Sequence, residues 1–103
     1  MDLQKLKILK EDERGVIYYC EKVNLIVRKK GARGADHTHE MPETLYLTKG
    51  KIELTVGDET KIVEAPTRIK IGPNVYHKDL ALTDIEMIED KNEGVENTYE
   101  NVD

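Results

Sequence analysis

From Val16 to Asp90 the chain is cut into short runs of β-branched, aliphatic and aromatic residues, with turn-formers between them at intervals of roughly eight to twelve residues. Lys51–Val56 alternates strictly, so Ile52, Leu54 and Val56 share one face and Lys51, Glu53 and Thr55 the other. Gly57-Asp58 reads as a tight hairpin turn, because both residue types tolerate positive φ. Thr60–Glu64 returns as a strand, Ala65-Pro66-Thr67 turns the chain, and Arg68–Ile71 sets Ile69 and Ile71 inward. Thr44–Thr48 is a strand before this series, and Thr83–Asp90 follows it with Ile85 and Met87 on one face. Upstream, Val16–Val23 and Leu25–Lys30 read as strands with Asn24 as the break between them, while residues 3–10 fit neither the helical nor the strand period cleanly and are read as a first strand. No stretch gives an amphipathic helix longer than two turns. Such spacing predicts an all-β sandwich or barrel.

At 103 residues the chain suffices for one core. We expect a single domain over residues 1–91 and an acidic, mobile tail over 92–103, NEGVENTYENVD. No apolar run reaches membrane-spanning length, and MDLQKLKILKEDERG lacks the apolar centre of a signal peptide, which predicts a cytoplasmic protein with no membrane partner. A lone cysteine, Cys20, fits a reducing compartment and reads as a small packed residue. The net charge of −5, with charged residues of both signs interleaved at 36%, repels a phosphate backbone and argues against nucleic-acid binding. Abundant Lys, Glu, Ile and Val with a single Gln is a composition associated with growth at high temperature.

The chemistry concentrates in GARGADHTHEMPETLYLTKG, residues 31–50. On an extended backbone His37 and His39 point the same way, and Glu43 shares their parity, which continues through Leu45 and Leu47. Two imidazoles and a carboxylate facing an apolar wall suit a first-row transition metal. A fourth ligand has to come from elsewhere, and the only other histidine is His77.

The same residues carry a family pattern. Gly31, His37, His39, Glu43 and Gly50 stand at the spacing of the first motif of the cupin superfamily, which the chain therefore resembles. IKIGPNVYHKDLA, residues 69–81, resembles the second motif, with His77 at its ligand position. Here the family's proline is displaced by one position, Asn74 stands where it has glycine, and Ala81 where it has asparagine. Asn74 can still adopt the left-handed turn conformation. The resemblance implies a small jelly-roll β-barrel of two antiparallel sheets holding one divalent ion (Fe, Mn, Ni, Co, Cu or Zn) on His37, His39, Glu43 and His77. Exposed strand edges, and the habit of similar proteins, predict a homodimer.

Four such ligands leave two neighbouring octahedral positions for a small-molecule substrate. Cupins of this kind include dioxygenases, isomerases and lyases. The reading is a mononuclear metalloenzyme acting on a small chelating or largely apolar metabolite, with oxidoreductase chemistry ahead of the others. The alternative is a metal-dependent module that binds or senses a ligand without converting it. The expected pocket wall is Leu45, Leu47, Ile52, Ile69 and Ile71, which offers few acids or bases. Tyr76 would line the mouth, and Asp79 either orients His77 or is an exposed loop carboxylate. Arg28, at a strand end, faces solvent in the preferred reading and anchors an anionic substrate in the alternative, and Tyr46 packs on the face opposite Glu43.

Overall fold

The structure is a computed structural model that describes residues 1–38 and 40–90, with backbone only at Ala35, Asp36 and His37. The predicted tail at 92–103 lies outside the described residues. Ten strands form: β1 (Lys7–Asp12), β2 (Gly15–Cys20), β3 (Val23–Arg28), β4 (Arg33–His37), β5 (Glu43–Lys49), β6 (Lys51–Val56), β7 (Glu59–Glu64), β8 (Thr67–Ile71), β9 (His77–Ala81) and β10 (Ile85–Asp90). They make a six-stranded sheet in the order β1-β2-β3-β10-β5-β8 and a four-stranded sheet in the order β4-β9-β6-β7. Every pairing is antiparallel. This is the predicted all-β jelly roll, and there is no helix among the described residues.

The core lies between the two sheets. Across the larger sheet Ile17, Ile26, Met87 and Leu47 are successive register partners, and all are buried. Ile52, Leu54 and Ala81 line the smaller one. A fully buried aliphatic side chain of this kind contributes about 1.5–3 kcal/mol, so these rows hold the sheets face to face. The strict alternation of Lys51–Val56 does what it predicts: Ile52 and Leu54 are buried, Val56 packs on the core and Glu53 is exposed. Gly57 (φ 64) makes the hairpin with Asp58, pairing Val56 with Glu59.

One expectation is corrected here. Asn24 is no break. The turn falls at Glu21-Lys22, where Glu21 takes φ 68 and Lys22 N–H donates to the Cys20 carbonyl at 2.8 Å. Asn24 sits inside β3, fully buried, because Glu89 meets its amide across the sheet. The first strand expected over residues 3–10 forms at Lys7–Asp12, and its period is blurred because the β1–β2 register slips between Ile8 and Lys10, a bulge that breaks the alternation. The short strands β4 and β9 carry no clear strand period of their own in the sequence.

Candidate functional site

The smaller sheet delivers His77. Gly72-Pro73-Asn74 turns the chain with Asn74 at φ 60, and the Tyr76 carbonyl accepts from Gly57 N–H at 2.7 Å, fixing the backbone just before β9 begins. His77 is then buried, and its Nδ1 lies 3.1 Å from the Val75 carbonyl. A carbonyl only accepts, so Nδ1 carries the proton, and in the neutral ring the lone pair is on Nε2. The larger sheet delivers Glu43, the first residue of β5, also buried, with Oε1 3.4 Å from His77 Nε2.

Burial pulls the His77 pKa down, but the Glu43 carboxylate, the Val75 carbonyl and the charge of Asp79 outweigh it, and the net shift is upward. Asp79 lies two residues along β9, opposite Leu54 and Gly34, half-buried within a strand and not on a loop. Burial raises its pKa against the opposing charges of Arg28 and His77. Gly34 makes room for it: a Cβ there would stand 2.8 Å from Asp79 Oδ1.

Of the four expected metal ligands, the structure brings Glu43 and His77 together. The backbone of His37 is the register partner of His77 between β4 and β9, its side chain lying outside the description, and His39 lies outside it altogether. Among the described residues no group of three or more His, Cys, Asp or Glu side chains is gathered as a metal site. Leu45, Leu47, Ile52, Ile69 and Ile71 are all buried on the inner faces, and Tyr76 is exposed. Tyr46 is partly buried on the outer face.

The interior is more polar than expected. Arg28 is buried at 5% exposure, so the solvent-facing reading is overturned; the parity of β3 turns it inward with Asn24 and Ile26. Asn24 and Glu89 are fully buried register partners, with Asn24 Nδ2 donating to Glu89 Oε1 at 2.9 Å. Glu89 also lies beside Leu45, the inward neighbour of Glu43 on β5. The alternation that set Ile85 and Met87 inward runs on to Glu89 and was the available signal. For Asn24 and Arg28 no such signal existed, since VNLIVR is apolar on both faces.

Against this geometry stand the comparisons with known proteins. A family model for the cupin domain matches residues 24–85, more than half of the chain. The chain belongs to the cupin family. No curated protein matches it. Among solved structures, an RmlC-like cupin from Shewanella frigidimarina is similar at TM-score 0.69 and 20% identity, covering 82% of this chain and 81% of that one. The capsular polysaccharide assembling protein CapF from Staphylococcus aureus is similar at TM-score 0.75 and 20% identity, over 96% of this cupin and 34% of CapF. The salicylate 1,2-dioxygenase from Pseudoaminobacter salicylatoxidans is similar at TM-score 0.61 and 12% identity, over 71% of this chain and 20% of the dioxygenase. At these identities the likeness is one of fold, and this cupin spans about a third of CapF and a fifth of the dioxygenase.

Proposed function

We propose that this cupin holds one divalent transition-metal ion on His37, His39, Glu43 and His77 and acts on a small chelating metabolite as a mononuclear metalloenzyme, dioxygenase-like or isomerase- or lyase-like. The observation that carries the reading is the convergence of Glu43 Oε1 and His77 Nε2, from different sheets, at 3.4 Å in a buried setting. The residues fit such an ion. Two donors bound to one first-row ion stand about 3.0–3.5 Å apart, and a Nε2 lone pair fixed by a hydrogen bond at Nδ1 is how a ligating histidine is oriented. When bound, the ion supplies Lewis acidity and a template for two substrate oxygens.

The chain's own residues do the rest. The Val75 carbonyl holds the Nδ1 proton and so aims Nε2; Glu43 contributes negative charge; Leu45 and Ile71 exclude water. Asp79, half-buried and two residues from His77, is placed to hold or pass a proton. Buried Asn24, Arg28 and Glu89 favour a substrate that carries polar groups over a wholly apolar one. Neighbouring structures support a chelating ligand: CapF is described with the inhibitor 3-isopropenyl-tropolone, and salicylate 1,2-dioxygenase with gentisate. Both molecules present adjacent oxygens.

The test is turnover. Protein loaded with each of the six metals is assayed against diketones, hydroxy acids, catechols and sugar phosphates, following oxygen uptake and product. The reading expects conversion of at least one class, abolished in His77→Ala with the far-UV spectrum preserved. Several ligands that raise the melting temperature while none is converted would make this cupin a binding module instead.

A further inference from the structure

Asn24 on β3 and Glu89 on β10 are register partners, both fully buried on the inner face of the six-stranded sheet. Their surroundings are apolar: Ile26 and Met87 follow them inward along their own strands, and Leu45 lies beside Glu89 on β5. Asn24 Nδ2 donates to Glu89 Oε1 at 2.9 Å. The other half of the amide poses the question. Asn24 Oδ1 is as deeply buried, and among the described residues no donor meets it. Leaving a buried acceptor unsatisfied is costly, and folded interiors rarely do so.

The chemistry of the partner can supply that donor. A carboxylate only accepts, whereas a protonated carboxyl keeps one acceptor oxygen and turns the other into an O–H donor. Facing a primary amide it closes a ring, in which the amide N–H goes to one carboxyl oxygen and the carboxyl O–H goes to the amide oxygen. Burial favours the same state, because an apolar setting penalises the charged form of an acid. Among the described residues the ionisable groups that share this interior are Tyr19 on β2, Arg28 on β3, Glu43 on β5, and His77 and Asp79 on β9. Glu43 and Asp79 are acids like Glu89, and His77 is engaged with Glu43 and the Val75 carbonyl. Arg28 stands four residues from Asn24, roughly 13 Å along the strand, and its charge acts on Asp12 and Asp79. We propose that Glu89 is protonated at neutral pH and donates through Oε2 to Asn24 Oδ1, so that a neutral acid–amide ring clasps β3 to β10 one row from Glu43. Ionisation would set two oxygens against each other, so the clasp weakens as the pH rises.

Glu89→Gln keeps the shape and offers Asn24 Oδ1 an N–H at every pH. Urea unfolding of the full chain and of this variant, at the same metal content and across roughly pH 5 to 9, tests the proposal. In the unfolded chain a glutamate titrates near about 4.3, while the folded chain keeps the Glu89 proton. The folding constant of wild type, relative to the variant, is therefore expected to fall about tenfold per pH unit until Glu89 ionises. The other ionisable groups are present in both chains, so the ratio isolates Glu89. A second measurement needs no variant and decides if Glu89→Gln does not fold. In carbon NMR with carboxyl-labelled glutamate, the Glu89 signal, assigned through bonds to its own backbone, is expected at the protonated position at neutral pH. A ratio that stays flat from about pH 5 to about pH 8, or a Glu89 signal at the ionised position at neutral pH, would overturn the proposal.

Discussion

Glu43 Oε1 and His77 Nε2 face each other at 3.4 Å although Glu43 opens a strand of the six-stranded sheet and His77 opens a strand of the four-stranded one. The closing of the barrel brings them together, and that contact has a pH signature in the metal-free protein. The His77 pKa is raised above its ordinary 6.5, with burial opposing and Glu43, Val75 and Asp79 prevailing. A raised folded pKa stabilises the fold below about 6.5, and that contribution is lost as the pH rises through the folded value. The melting temperature of chelator-treated wild type should therefore fall, as the pH rises above about 6.5, more than that of Glu43→Gln.

Asn24 and Glu89 give a second prediction. Asn24→Ala removes an N–H donor from a fully buried carboxylate, and we expect a loss of about 2–4 kcal/mol in urea unfolding at neutral pH. Glu89→Gln, which keeps the shape and an acceptor for the Asn24 amide, should cost less. Equal losses from both variants would mean that packing, not the hydrogen bond, sets the effect.

Gly34 tests the room left for Asp79. A methyl group there would stand 2.8 Å from Asp79 Oδ1, so Gly34→Ala should destabilise by about 1–3 kcal/mol through overpacking. Asp79→Ala should recover most of that loss when combined with it. A double-mutant cycle by thermal or urea unfolding reads the coupling.

The β1–β2 turn carries an acid-sensitive contact. Asp12 is held at about pKa 2, from 3.8, chiefly by the Arg14 side chain, whose Nη2 lies 2.7 Å from Oδ2. A lowered folded pKa gives stability that is present above 3.8 and lost as the pH falls through about 2. Asp12→Asn should thus cost up to about 1 kcal/mol near neutrality, the pair being partly solvated, and the difference from wild type should vanish as the pH falls through about 2.

The sequence made the fold legible wherever one face was apolar and the other polar, as in Lys51–Val56, and wherever glycine or asparagine marked a turn, as at Gly57 and Asn74. It failed where both faces carry apolar residues. Leu25, Val27 and Ile88 are apolar toward the outside, so alternation in β3 could not reveal that Asn24 and Arg28 point into the barrel. The bulge in β1 blurred the period of the first strand for a related reason, because a register slip has no signature in a single chain. The convergence of Glu43 with His77 was legible from the family spacing alone. Asn24 binding Glu89 across the sheet was not, since it depends on which strands become neighbours.

The central claim is one metal ion per chain on four named side chains. The direct measurement is elemental analysis by mass spectrometry of untagged, chelator-free protein, with His37→Ala/His77→Ala purified alongside. About one equivalent of iron, manganese, cobalt, nickel, copper or zinc in wild type, and none in the folded double variant, is the predicted result. No bound metal, with reconstitution by each of the six ions also failing, would contradict it.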